Sequence, residues 1–443
     1  MLGALKSVYR RHLSRYRWAR RARNLFVRAI IWTHFWLFPV VMMLFTGSDR
    51  RYRLLALPSA GPDLVRCRTM LHERETVALS WPAVWQRGRR VPAQGNGGPV
   101  VYEWPAIERF QIRHARVAGR SEFVFAGGFA LHHPLFDAQA HATGEELHRL
   151  GAFNPARSRY FRRRLEHAPV QLDAAIALVG SCTANYVHWL TETLPQLLLA
   201  DRAPALARLP VVVDAGLHPN ILASMTAFAP SRSDRVELAP GQVAEIGELF
   251  VCCAPTFIPF DYRVRMFGKR PELVGRTDAA RFSPFALRLV RERADALFSE
   301  PAAPRRRLLL RRRSNMRSVV NFEELEAALQ SEGFEVVEPE ALPFLEQVSL
   351  FRTAAVVVAQ TGAGLGNLLF APHGCRVVTL IGRSPFSNYH YYSNLAQIAG
   401  LDLVYVEGQP VDLSVWHPAH ADYRIDAADV LGAVRAAEPA GPS

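Results

Sequence analysis

In the stretch ANYVHWLTETLPQLL, running from Ala184 to Leu198, Asn185, His188 and Glu192 stand three and four residues apart. That spacing places all three on one face of a helix. Tyr186, Trp189, Leu190 and Leu194 supply apolar bulk around the rest of the cylinder, so the helix is expected to be buried. Buried polar groups cost free energy unless they are paired or used. A histidine titrates near neutral pH, and a carboxylate one turn away can orient or charge-balance it, so the pair suits proton transfer. The structural alternative is a histidine that only hydrogen-bonds in the interior. Trp189 is expected in the core, and Pro195 is expected to end or kink the helix after Leu194.

Two further clusters point to an anion. In AVVVAQTGAGLGNLLFAPHG an apolar strand ends at Ala359 and a turn holding Gly362, Gly364 and Gly366 leads into a helix. Backbone N–H groups and the positive helix end at such a turn favour a phosphate. The spacing G-x-G-x-G departs from the dinucleotide fingerprint and follows the third strand of its domain, which argues against a nicotinamide dehydrogenase. The plainer reading is a tight turn that needs glycine for packing. In LLLRRRSNMRSVVN, Arg311, Arg312 and Arg313 end a strand and Arg317 follows in the loop. Guanidinium forks bind phosphate oxygens bidentately, whereas the alternative is a solvated basic loop. No D-x-D is present. A diphosphate would then be neutralised by arginine and helix dipole, with no metal expected.

These residues need elements to hold them. Residues 54 to about 140 alternate short apolar runs such as TVALSW, FQIRHARV and EFVFAGG with Gly and Pro clusters, which predicts strands and loops. From about 174 the pattern is strand, helix, strand (AIALVG, the helix above, PVVVDAG), then HPNILASMTAF and the buried strand ELFVCCA. A linker is expected over about 276–305, with a helix near Phe285–Phe298. Beyond it RRLLLR, EVVEP, AVVVAQ, RVVTLIG and DLVYVEG alternate with helices. One of these, NFEELEAALQSEG, carries Asn321 as N-cap, Glu324 completing a capping box and Gly333 as stop. Continuous apolar strands between helices predict parallel sheets covered on both faces, here in two α/β domains facing across a cleft. The expected boundaries are a basic and hydrophobic N-terminal segment 1–53, a first α/β domain 54–284 and a second, Rossmann-like domain 285–443.

Composition limits the partners. The chain has 443 residues, 49% hydrophobic and 21% charged, as a folded globular protein has. Of its net charge of +13, residues 1–53 hold +11: Lys6 and eleven arginines against Asp49. The basicity belongs to the N-terminus, which argues against a nucleic-acid groove in the body. Inside that segment Ala29–Phe45 is uncharged, but seventeen residues of helix reach only about 25 Å against a hydrocarbon core of roughly 30 Å. The reading favoured is a surface or re-entrant anchor on anionic lipid, ahead of a true span or a buried helix. Cys67, Cys182, Cys252, Cys253 and Cys375 have no metal-ligand spacing and no even-numbered framework, with Cys252 and Cys253 read as buried thiols. The expected location is the cytoplasmic face of the inner membrane, peripheral or monotopic.

NYVHWLTETLPQLLL, LLLRRRSNMRSVVNFEELEAAL and GAGLGNLLFAPHGCRVVTL resemble, in order and spacing, the three signatures of glycosyltransferase family 61, the capsular polysaccharide biosynthesis type, over roughly residues 170–410. The resemblance implies a GT-B architecture and inverting, metal-independent transfer without a cofactor. It also implies a nucleotide-sugar donor held by the second domain and a glycan or lipid-linked acceptor in surface polysaccharide synthesis. It carries over onto Asn185 as substrate-binding, onto His188 and Glu192 as catalytic, and onto Arg311, Arg313, Arg317, Gly362, Ala363, Gly364 and Asn367 as donor-binding. Either His188 is the base with Glu192 orienting it, or Glu192 is the base and His188 binds the acceptor. Gly366 stands where threonine or alanine is common in the family, and Thr379 where many members have an acid. Residues 1–53 lie outside the resemblance. The competing functional class is a non-catalytic scaffold of the same fold at the membrane.

Overall fold

The computed structural model describes residues 50–436 except 94–96, 155, 164–166, 233, 262–279, 299–302, 314–315, 385–386 and 412–420, together with positions 25, 37 and 44. All of the expected anchor Ala29–Phe45 but positions 37 and 44, and nearly all of the basic segment, therefore lie outside the described residues. Among the described residues no helix is long and apolar enough to cross a membrane.

The chain is mixed α/β, built on an eleven-stranded and an eight-stranded sheet. In the first, Val243–Cys252, Val170–Leu178, Val211–Asp214 and Arg235–Leu238 lie side by side and parallel. Val211–Asp214 is buried along its whole length, as a strand covered on both faces must be. Ile107–Ala118 pairs antiparallel with Val243–Cys252 and starts an extension of shorter strands. Arg51–Ala56 belongs to that extension, antiparallel to Arg159–Arg162 and parallel to Phe129–His132, so the last residues of the segment 1–53 are part of this sheet.

In the second sheet Glu335–Val337, Arg306–Leu310, Ala354–Gln360, Arg376–Gly382 and Asp402–Pro410 are parallel neighbours in that order. Numbered along the chain this is 2-1-3-4-5, so the order reverses between Arg306–Leu310 and Ala354–Gln360. Open α/β sheets bind ligands outside the carboxyl ends of their strands at such a switch point. Ala83–Gln86 adds parallel to Asp402–Pro410, and Arg89–Pro92 closes the edge as a hairpin. Two strands from the interval 54–284 thus complete the second sheet. One cluster of buried apolar residues also passes from Ile176 and Trp189 through Phe228 and Phe344 to Leu308 and Val357.

Two local expectations are corrected. Asn321 precedes the helix Phe322–Gln330, but no capping box forms. Its Oδ1 accepts from the Ile425 N–H at 3.0 Å, and its Nδ2 donates to the Ile425 carbonyl at 2.8 Å and to Glu324 Oε2 at 3.2 Å, a side-chain pair in place of the backbone bonds of a capping box. The segment after the glycine turn, Ala363–Phe370, is a 3₁₀-helix, not an α-helix. Gly333 does stop its helix, at φ 79°.

Candidate functional site

Asn185 caps the helix: its Oδ1 accepts from the Val187 N–H at 3.2 Å, and Tyr186–His188 make one α-turn. Trp189–Thr193 then form a π-turn before Leu194–Asp201 resumes as α-helix. The helix therefore neither ends nor breaks at Pro195. Proline has no N–H to give the carbonyl four residues back, which is that of Thr191. The Thr256 hydroxyl donates to this carbonyl at 2.8 Å, while the Leu194 N–H reaches five residues back to Trp189. π-turns inside α-helices are frequent at functional sites. Trp189 is fully buried and its Nε1 donates to Ser224 Oγ at 2.8 Å, so it is a core residue as expected.

His188 Nδ1 and Glu192 Oε1 lie 2.6 Å apart across this turn. The side chains are mostly buried, with 15% and 22% exposed. Burial pulls the His188 pKa down, but the Glu192 charge and hydrogen bond, with Glu122 beyond, carry it above the ordinary 6.5. The loop leading to Asn185 is tied by Asp214, a buried carboxylate that accepts from the Gly180 N–H at 3.0 Å and from the Thr183 hydroxyl.

At the second sheet's switch point the arginine loop follows Leu310 and the glycine turn follows Gln360, side by side. A Cβ on Gly362 would meet Arg312 Cδ and Nε at 3.1 Å, so the Arg312 side chain lies directly against the turn. Arg312 Nη1 also donates to the Thr361 carbonyl at 3.2 Å, and Tyr392 Oη donates to the Gly362 carbonyl at 2.7 Å. Burial and the neighbouring Arg317 cation lower the Arg312 pKa. Arg317 is held at φ 58°, a backbone region that costs energy outside glycine, and its buried Nε has no hydrogen-bond partner among the described residues. Arg311 is paired with Glu326 and stacked over Phe322 at 5.2 Å. Arg313 pairs with Glu338 at 2.5 Å and is largely exposed.

Three cavities join these parts. A cavity of about 850 Å³ is bordered by Asn185, Arg311 to Arg313 and Gly362 to Gly364. A second, of about 350 Å³, takes His188, Arg317, Gly362 and Tyr392 and meets the first at Asn185, Gly362 and Ala363. A third, of about 150 Å³, lies at the carboxyl ends of Val170–Leu178 and Val243–Cys252 and is bordered by Glu122, Ser181, His188 and Glu192. His188 lines both the second and the third.

Asn185, His188, Arg317, Gly362 and Ala363 are thus brought together, and Arg311, Arg313 and Gly364 border the larger cavity. Asn367 sits behind the wall, fully buried. It accepts from Tyr186 Oη at 2.8 Å and donates to Gln347 Oε1 at 2.7 Å. Gly366 is a packing glycine: a Cβ there would lie 3.1 Å from Val187 Cα, so the 3₁₀-helix and the His188 helix touch backbone to backbone. The resemblance did not carry over Arg312, although it stands in the same arginine run. Tyr392, within NYHYY, and Glu122 carry no motif that marks them in the sequence.

The comparisons with known proteins come to the same segment. Residues 186–378 match the family described as Glycosyltransferase 61. Beta-1,2-xylosyltransferase XAX1 of Oryza sativa subsp. japonica is 33% identical over 144 residues, 31% of this chain and 25% of that protein. The EGF domain-specific O-linked N-acetylglucosamine transferase of Drosophila melanogaster is 28% identical over 155 residues, 32% of this chain and 29% of that one. The chain thus spans less than a third of these relatives' length. Among solved structures, the dodecameric iron-containing heptosyltransferase TibC in complex with ADP-D-beta-D-heptose is 13% identical, covering 71% of this chain and 74% of its own, with a TM-score of 0.23.

Proposed function

We propose, on the premise that residues 186–378 are a glycosyltransferase 61 region, that this protein is an inverting, metal-independent glycosyltransferase of GT-B-like build. It transfers a sugar from a nucleotide-sugar donor to a glycan or lipid-linked acceptor. The observation that carries the reading is the position of His188. It lies on the partition between a cavity lined by Arg317 and Gly362 and a cavity lined by Glu122 and Glu192.

The acceptor hydroxyl attacks the anomeric carbon in one displacement. Its proton passes to the imidazole, whose Nδ1 faces Glu192, leaving Nε2 to receive it. The carbon–oxygen bond to the diphosphate breaks with its electron pair going to the phosphate oxygen. Arg317, whose buried Nε has no partner among the described residues, and Arg312, against Gly362, neutralise that charge, helped by backbone N–H groups of the turn. Asn185 keeps the two sides in register by fixing the start of the helix. The eleven net positive charges of residues 1–53 support work at an anionic membrane surface, which we place on the cytoplasmic side and in surface polysaccharide synthesis.

The test is turnover of a panel of UDP-, GDP- and ADP-sugars by the full chain with EDTA present, read as nucleotide diphosphate released. One donor should be turned over, and His188→Ala should reduce the rate by about 100-fold or more. Absence of turnover across the panel, or an undiminished His188→Ala rate, would contradict the reading.

A further inference from the structure

The third cavity contains groups that proton transfer by His188 and Glu192 does not require. Glu122, from the loop after Ile107–Ala118, opens onto it, and its carboxyl takes a hydrogen bond from the Ser181 hydroxyl. Its own N–H donates to Glu145 Oε1 at 2.6 Å, and the Ser121 hydroxyl donates to the same oxygen at 2.9 Å. Gln196 lines the same space, and Phe136 and Phe257 offer aromatic surface, with His133 stacked on Phe257 at 5.0 Å. The volume of about 150 Å³ is well under the roughly 300 Å³ at which pockets for larger ligands begin, so it has room for one sugar unit and not a chain.

We propose that this cavity receives the acceptor's terminal sugar as a neutral polyhydroxyl unit, with Glu122 as the residue that binds its hydroxyls beside the one facing His188. The inference rests on the glycosyltransferase reading and names the acceptor side of that site.

The charges around Glu122 support a neutral occupant. Glu122 is exposed to the cavity, yet desolvation by the protein packed around it, with Glu145 behind it and Glu192 across it, pushes its carboxyl up to about 8. Ser181 and the His188 cation act the other way. Burial holds His133 down at about 4 and lowers His132, so both are uncharged at pH 7. His141 also lines the space. At pH 7 Glu122 is therefore an acid with a proton to donate, Glu192 has His188 as its partner at 2.6 Å, and the aromatic faces suit the C–H face of a pyranose.

The experiment is calorimetric titration of the full chain, loaded with the nucleotide diphosphate that stabilises it, with methyl β-D-xylopyranoside and methyl β-D-glucopyranoside at pH 7 and pH 9. At least one should bind at pH 7 and bind at least 5-fold more weakly at pH 9, where Glu122 has lost its proton. Glu122→Gln, which keeps a donor and cannot ionise, should bind at pH 7 and lose less affinity than the wild type at pH 9, where His188 also sheds its proton. Glu122→Leu should bind at least 10-fold more weakly while keeping its thermal shift with the nucleotide diphosphate, which shows that it is folded. No binding of either glycoside at pH 7, or Glu122→Leu binding like the wild type, would overturn the proposal. Failure of every nucleotide diphosphate to stabilise the protein would instead remove the glycosyltransferase reading itself.

Discussion

The His188 helix and the arginine loop both stand at the carboxyl edge of a parallel sheet, yet they handle charge in opposite ways. On the helix, His188 and Glu192 are each other's partners at 2.6 Å, and the π-turn that sets them is locked by Thr256 from a distant segment. In the loop, Arg311 and Arg313 are tied to Glu326 and Glu338; Arg311 and Arg317 each keep a buried Nε unmatched among the described residues, but of the two only Arg317 has no carboxylate partner among them and a strained backbone. A group satisfied within the protein is set before substrate arrives, whereas an unmatched cation in a cavity is set for an anion that has yet to come.

That contrast is broken most severely at the helix. With the imidazole taking the acceptor proton as proposed, His188→Ala should lower transfer by about 10²- to 10⁴-fold and leave the thermal shift with nucleotide diphosphate intact. In the loop, Arg317→Ala should weaken nucleotide diphosphate about 10- to 100-fold, the worth of a charge-assisted hydrogen bond. Arg313→Ala should cost no more than about 5-fold, because its pair with Glu338 is solvent-exposed. Titration calorimetry of the two variants measures the difference directly.

The pH profile sharpens the helix side. Only neutral His188 can accept a proton, so activity should rise with pH through a pKa above 6.5. Glu192→Gln removes the charge that raises this pKa and should move the acid limb to lower pH. An unmoved limb would assign the proton elsewhere.

The smallest expected effects concern the supports. Gly366→Ala pushes a methyl against Val187 and should cost about 1–3 kcal/mol by denaturant unfolding. Thr256→Val leaves the Thr191 carbonyl unmatched and should cost about 1–3 kcal/mol, with part of the loss seen as slower transfer.

What could be read from the chain follows the range of the forces involved. The His188–Glu192 pair is an i,i+4 neighbour relation, and the alternation of strands and helices after residue 305 is a local pattern, so both are written in consecutive residues. The glycine turn and the arginine loop end adjacent strands, which the βα alternation implies without a long-range contact. Features made by distant segments were not legible. The capping box at Asn321 lost to Ile425, and the role of Pro195 depends on Thr256, sixty residues away, offering a hydroxyl to a freed carbonyl. Ala83–Gln86 reads as one more short strand until Asp402–Pro410 is seen to need an edge partner. Glu122 has no local signal at all, because its chemistry comes from Glu145, Ser181 and Glu192 meeting around one cavity. Asn367 and Gly366 sit inside a motif whose spacing is shared by turns that bind and turns that pack.

The central claim is that Arg317 and the glycine turn hold the diphosphate of a donor. Its most direct measurement is the thermal unfolding of the full chain with UDP, GDP, ADP and their sugars in the presence of EDTA, for the wild type and Arg317→Ala. A ligand at 100 times its Kd adds about 2.7 kcal/mol, a readily visible shift. The site described here requires such a shift for one nucleotide diphosphate, much reduced in Arg317→Ala. No shift with any of them, or an equal shift in the variant, would contradict it.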